Sequence, residues 1–222
     1  CPITSCLLAR SLRAVVDAPI VLTYHTKYDV DIAKAVRGKL LQESAIRALV
    51  QNIASCDEVW VVSRGAGENL RSLGYEGDYI VMENGVDVPR GRVSDEAIAA
   101  ATGRYDLPQN VPIFLFVGRL MWYKGIRIIL DALKTLREKN VDFRMVFVGE
   151  GADGAEIRSY AEERKLSDRC FFTGAISDRE IIRAWYGRSD LFLFPSTFDT
   201  NGLVVREAAA CELASVLVRG SC

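Results

Sequence analysis

The residues best placed to do chemistry fall in one stretch, Pro195-Ser196-Thr197-Phe198-Asp199-Thr200-Asn201-Gly202-Leu203-Val204-Val205-Arg206-Glu207-Ala208. An apolar run over 191–194 stops at a proline, crosses a polar turn and restarts near Gly202 as an alanine-rich segment of helical character. The amides of a helix's first turn lack intrahelical partners and the dipole is positive there, so the backbone at Gly202, Leu203 and Val204 attracts an anion. Asp199 and Glu207 flank those amides, and carboxylates accept hydroxyls. A phosphate with a sugar or ribose beside it is the ligand this pairing suits. Taken alone, D-x7-E is also an ordinary helix start with solvated acids.

A second constellation, Gly118-Arg119-Leu120 with Lys124-Gly125, follows the apolar run over 111–117. A guanidinium forks onto two phosphate oxygens while an ammonium supplies a compact charge, so the two together suit a pyrophosphate and stabilise it as a leaving group. A third, Gly149-Glu150-Gly151-Ala152-Asp153-Gly154, fits the dinucleotide pattern G-x-G-x-x-G. It follows the second strand of its series, however, and the next strand, 170–174, ends without the acid that would hold a ribose. It reads as a tight turn near a nucleotide, and a dehydrogenase is disfavoured.

Two α/β series position these groups. In the first, 18–26 is a continuous apolar run ending in hydroxyls and His25, as a buried parallel strand does at a ligand-binding end. A helical stretch over about 30–54 follows, then strand 58–63, a helix running from Ser63 to Leu73-Gly74, and strand 79–82 leading into Asn84-Gly85-Val86-Asp87. Composition turns to Pro, Gly, Arg and Asp over 88–110, which places a boundary between domains 1–92 and 93–222. The second series has strands at 111–118, 143–149, 170–174, 191–195 and 215–219. Ile126, Ile129, Leu130, Leu133 and Leu136 recur at helical spacing, and Ser177-Asp178-Arg179-Glu180 reads as a capping box. Strand and helix in alternation predict parallel sheets covered by helices.

The 222 residues are half apolar and carry a net charge of −1, so the chain can bury a sizeable core and nothing in its balance points to nucleic acid. Six cysteines without C-x-x-C, and one histidine, leave no sensible zinc set; reduced thiols in a cytosolic protein are expected. The opening residues, from Cys1, show neither an initiator methionine nor signal-peptide regions, so the chain reads as a piece of something longer.

In Tyr24-His25-Thr26, Ser63, Asn84-Gly85-Val86-Asp87, Val117-Gly118-Arg119-Leu120 with Lys124-Gly125, Val148-Gly149-Glu150-Gly151, Phe172-Thr173-Gly174, and Asp199 with Glu207-Ala208-Ala209-Ala210-Cys211, the chain resembles glycosyltransferase family 4, retaining transferases of GT-B fold. The resemblance covers nearly all of the chain and implies α/β architecture with two Rossmann-like domains, the first incomplete and the second truncated at its end. It departs from the family at Asp199, where a glutamate is usual, at Asn201, where a phenylalanine is usual, and at Glu212, where a glycine ends the helix. A positive φ at Glu212 would cost roughly 1 kcal/mol.

The resemblance further implies a hexose moved, with retention, from a nucleoside diphosphate sugar, uridine-based by expectation, to an acceptor hydroxyl. Arg119 and Lys124 would stabilise the diphosphate, and Asp199 and His25 would face the transferred sugar. Gly118, Asn84, Gly85, Gly149, Glu150, Asn201, Gly202, Leu203 and Val204 would line the donor site, with Ile176 against the base and Glu207 on the ribose. No cofactor is expected beyond the sugar nucleotide itself. With no Asp-x-Asp turn at a strand end, no metal is expected either. The acceptor, whether lipid, polysaccharide or small molecule, stays open, as does peripheral membrane contact at the inner face. A fragment that binds the nucleotide sugar without turnover is the alternative.

Overall fold

The computed structural model describes residues 5–13 and 15–219. The described residues divide into two compact units, those up to Asn84 together with 199–201, and 85–198 together with 202–219. The division falls between Asn84 and Gly85 and not at 92–93. The irregular segment that marks the change in composition already belongs to the second unit: Val88 packs on its core, and the Gly91 amide donates to the Ala210 carbonyl at 3.0 Å.

The first unit carries a parallel sheet of β1 (Val21–Tyr24), β2 (Glu58–Val61) and β3 (Ile80–Val81), in that order, with Val21 opposite Glu58 and Trp60 opposite Ile80. The single helix expected over 30–54 is two, α2 (Tyr28–Ala35) and α3 (Lys39–Ala54), because Gly38 takes φ +98° between them. A helix that the sequence does not announce, α1 (Ser5–Leu12), precedes β1. After β2, Ser63 caps α4 (Arg64–Ser72) by accepting the Ala66 amide at 3.0 Å. Tyr24, Leu49, Ile53, Val59, Val61 and Leu70 are buried among these elements. Gly67 is required where α4 meets Tyr79, since a Cβ there would lie 2.5 Å from the Tyr79 ring.

The second unit opens with α5 (Asp95–Thr102), capped by Ser94. Its five parallel strands are β4 (Ile113–Val117), β5 (Arg144–Val148), β6 (Cys170–Gly174), β7 (Leu191–Phe194) and β8 (Ser215–Leu217), ordered β6-β5-β4-β7-β8. Between them run α6 (Ile126–Glu138), α7 (Gly154–Glu163), α8 (Arg179–Arg188) and α9 (Leu203–Ala210). The stripe on α6 is buried as expected, and Phe147 stacks on Phe172 at 4.8 Å and Phe192 on Phe194 at 5.8 Å in the core. The cap of α8 is Asp178 and not Ser177: its Oδ1 accepts the Glu180 amide at 2.9 Å, so a simple N-cap stands in place of the expected box. Glu212 does take φ +61°, just past α9. Two α/β units with parallel sheets are thus present, as the resemblance implies; the second, whose strand order reverses, is doubly wound.

Candidate functional site

In the second unit the chain winds outward from β4 through β5 to β6, then returns to β7 on the other flank of β4 and continues to β8. The strand order reverses between β4 and β7. Helices leave on opposite faces there, so a crevice forms beyond the carboxyl ends of these two strands, where open α/β sheets bind ligands. The chain leaving β4 carries Gly118, Arg119 and a short 3-10 turn, Trp122–Lys124; the chain leaving β7 carries Pro195 and Ser196.

Glycines let these loops touch. Gly125, at φ +77°, lies so near the Pro195 carbonyl that a Cβ would sit 2.4 Å from its oxygen. A Cβ on Gly149 would lie 2.0 Å from the Gly118 carbonyl oxygen, and one on Gly151 would lie 2.3 Å from that of Leu120. The Gly149 amide is already spent on the Gly174 carbonyl at 2.9 Å, and Asp153 accepts the Trp122 amide at 2.8 Å. The G-x-G-x-x-G run therefore holds the loop after β4 in place by close backbone approach. Glu150, whose carbonyl accepts the Leu120 amide at 3.0 Å, is exposed with its carboxylate beside Gly174.

Two cations emerge from this arrangement. Lys124 is only 8% exposed, with Nζ 5.4 Å from the centroid of Tyr123 and 5.6 Å from that of Phe194. Burying an ammonium is costly, and ring faces offset part of that cost. Arg119 is exposed and donates to the Tyr123 hydroxyl at 2.7 Å; the Tyr123 ring in turn packs edge-on against Phe198 at 5.2 Å. On the other side of the switch point, α9 begins at Gly202 in the left-handed region, φ +53°, with no side-chain cap, so the amides of Leu203 and Val204 head the helix.

Further along α9, Glu207 borders a hollow of about 140 Å³ with Gly85, Asp87, Arg179, Tyr186 and Leu203 among its walls. Tyr186 is buried and its hydroxyl donates to Glu207 Oε2 at 3.0 Å. Burial first, and the Glu207 charge second, push the Tyr186 pKa upward, so the phenol keeps its proton at neutral pH. The structure thus unites Gly85, Leu203 and Glu207 in one hollow. Ile176 lies elsewhere, half-buried against the core in a depression with Thr173, Arg104 and Trp185.

Asn84, Asp199 and Asn201 group with the first unit, as does His25. There His25 is exposed just past β1, and its carbonyl accepts the Thr200 hydroxyl at 2.6 Å. Asn201 donates its amide to the Val62 carbonyl at 2.8 Å, and Ser63 donates to the Thr200 carbonyl at 2.6 Å. Asn84 and Asp199 are half-buried. Among the described residues no group of three or more His, Cys, Asp or Glu side chains is arranged to hold a metal. The described cysteines Cys56, Cys170 and Cys211 are thiols; Cys1 and Cys222, and the side chain of Cys6, lie outside the described residues. Sequence reasoning missed Tyr186, Tyr123 and Asp153. Only the resulting contacts reveal them, since an aromatic on a helix face and an acid in a turn carry no signal of their own.

Comparison with known proteins places these features in a family. Residues 99–222 match the glycosyl transferases group 1. The D-inositol 3-phosphate glycosyltransferase of Xylanimonas cellulosilytica is 30% identical over 207 residues, covering 88% of this chain and 48% of that protein. Sucrose-phosphate synthase from Thermosynechococcus elongatus superposes with a TM-score of 0.76 at 26% identity, over 96% of this chain and 53% of its own. Anabaena HepE, solved with UDP and glucose, does so at 0.77 and 19% identity, over 97% and 56%. The chain spans about half the length of the curated relatives it matches. A sheet whose order reverses beside a buried lysine, the glycines that bring its loops together and the match over 99–222 lead to one conclusion: the chain belongs to the group 1 glycosyl transferases.

Proposed function

We propose that this chain forms the donor-handling part of a retaining glycosyltransferase, which moves a hexose from a uridine diphosphate sugar to an acceptor hydroxyl without a metal. The observation that carries the reading is the placement of Lys124 and Arg119 beyond β4, at the switch point, with the uncapped start of α9 after β7. When the glycosidic bond to the β-phosphate breaks, negative charge grows on the leaving diphosphate. Fixed cations and amide dipoles oriented beforehand stabilise that charge without reorganising. Glu207 would accept ribose hydroxyls, and Asp199 and His25 would face the sugar. Retention is assigned no nucleophile. The UDP in the Anabaena structure supports the choice of base, as fold-level likeness.

The acceptor is left open among lipids, polysaccharides and small molecules. No helix of the described residues is long and apolar enough to cross a membrane; a cytoplasmic site of action, with peripheral contact at the inner face, is part of the proposal. Because the chain spans about half of its relatives, binding without turnover is the second reading. The experiment is a titration with UDP-glucose in excess EDTA, followed by NMR of any sugar transferred to water or alcohol. Binding with an α-configured product supports the full reading, and binding alone supports the second. Binding that requires a divalent cation contradicts metal independence.

A further inference from the structure

We propose that Tyr186 is a positioning residue that aims the Glu207 carboxylate at the ribose diol of a nucleoside diphosphate, so that the selectivity for ribose depends on a phenol which never touches the ligand. This rests on the reading of Glu207 given above. The two residues are 21 positions apart, on α8 and α9, and join through one bond, from the Tyr186 hydroxyl to Glu207 Oε2 at 3.0 Å. The Tyr186 ring needs no hydroxyl for its packing: it lies edge-on to Phe192 at 5.8 Å within the core, where phenylalanine would fill the same space. What the hydroxyl adds is a neutral, buried donor at one oxygen of a half-buried carboxylate.

The neighbouring charges leave this task to Tyr186. Of the two arginines in the same hollow, Arg179 pairs with Asp87 at 2.9 Å and Arg183 with Glu180 at 3.0 Å. Among the described residues Glu207 has no ion-pair partner, and its Oε1 accepts no hydrogen bond, so the acid is oriented by Tyr186 without being neutralised and keeps acceptor capacity for a ligand. A carboxylate held at one oxygen and open at the other suits a vicinal diol. Holding a long acid in one rotamer before binding removes an entropic cost that binding would otherwise bear.

The test is calorimetric binding of UDP and of 2′,3′-dideoxyuridine diphosphate to the parent chain, Tyr186→Phe and Phe192→Leu. The ratio of the two affinities, read on one protein sample, is independent of the fraction folded. We expect the parent to favour UDP, Tyr186→Phe to lower that preference about three- to tenfold through UDP alone, the cost of immobilising one side chain on binding, and Phe192→Leu to leave the ratio unchanged. A preference unaltered in Tyr186→Phe, or lowered equally in Phe192→Leu, overturns the proposal while sparing the role of Glu207. A parent chain without any preference for the ribose overturns the ribose reading itself.

Discussion

The ammonium of Lys124 lies 5.6 Å from the centroid of the Phe194 ring, which joins the turn after β4 to the last residue of β7. That relationship sets a buried cation at the point where the sheet reverses its order, and Gly125 makes it geometrically attainable by meeting the Pro195 carbonyl. On the proposed reading, a cation already desolvated there would act on a diphosphate more strongly than a lysine in water.

Gly125→Ala should therefore be among the most damaging substitutions in the second unit. Its Cβ would lie 2.4 Å from the Pro195 oxygen at a φ of +77°, so both sterics and backbone are strained. A loss of about 2–4 kcal/mol is expected in urea unfolding monitored by circular dichroism. Gly85→Ala, which meets nothing within 4 Å, should cost under about 1 kcal/mol by the same measurement.

Glu212→Gly should stabilise the chain by about 0.5–1 kcal/mol, because Glu212 sits at φ +61° where α9 ends. Its amide donates to the Ala209 carbonyl at 3.1 Å and that of Leu213 to Ala208 at 2.9 Å, a turn that glycine adopts without strain. Thermal melting of the two proteins checks this.

Cys170 should resist alkylation in the folded chain. Burial pushes its thiol up to about 12, with the Asp168 charge adding to the effect, so little thiolate exists near pH 8. The raised folded value gives a stability contribution that is complete below the unfolded pKa, near 8.5, and is lost as pH rises from there toward 12. Iodoacetamide labelling followed by peptide mass mapping should find Cys56, half-buried, modified before Cys170, which reacts only after denaturation.

Asp131 should support α6 in a pH-dependent way. The hydrogen bond from Arg164 holds its carboxylate below the usual range, with Tyr160 assisting at 2.9 Å. A depressed folded pKa gives stability that is present above the unfolded value, near 3.9, and is lost as pH falls through the folded one. Asp131→Asn should cost about 1 kcal/mol or less at pH 7, since solvent screens this partly exposed pair, and the difference should close as pH falls through the folded value in acid titration.

Much of this architecture is legible in the residues. Strands buried on both faces announce themselves as unbroken apolar runs, so β4 and β5 lie where expected; the stripe from Ile126 to Leu133 likewise gives α6. The break at Gly38 is harder to read, since apolar residues continue on both sides and only the backbone shows φ +98°. The cap at Asp178 rather than Ser177 is a one-residue choice between two good capping side chains. Within the site, Lys124 and Glu207 are nameable from motifs, while Tyr186 and Asp153 depend on contacts between separate elements, which no local pattern encodes.

The proposed donor site requires that the Lys124 ammonium meet the second phosphate of a nucleotide. Calorimetric titration of the parent chain and Lys124→Met with UDP and with UMP, both in EDTA, separates that contact from recognition of the base and ribose. A loss of about tenfold or more for UDP in Lys124→Met, with UMP affinity held within about twofold, is the predicted result. Equal affinities for UDP in the two proteins, or equal losses for UDP and UMP, would contradict a diphosphate site at the switch point.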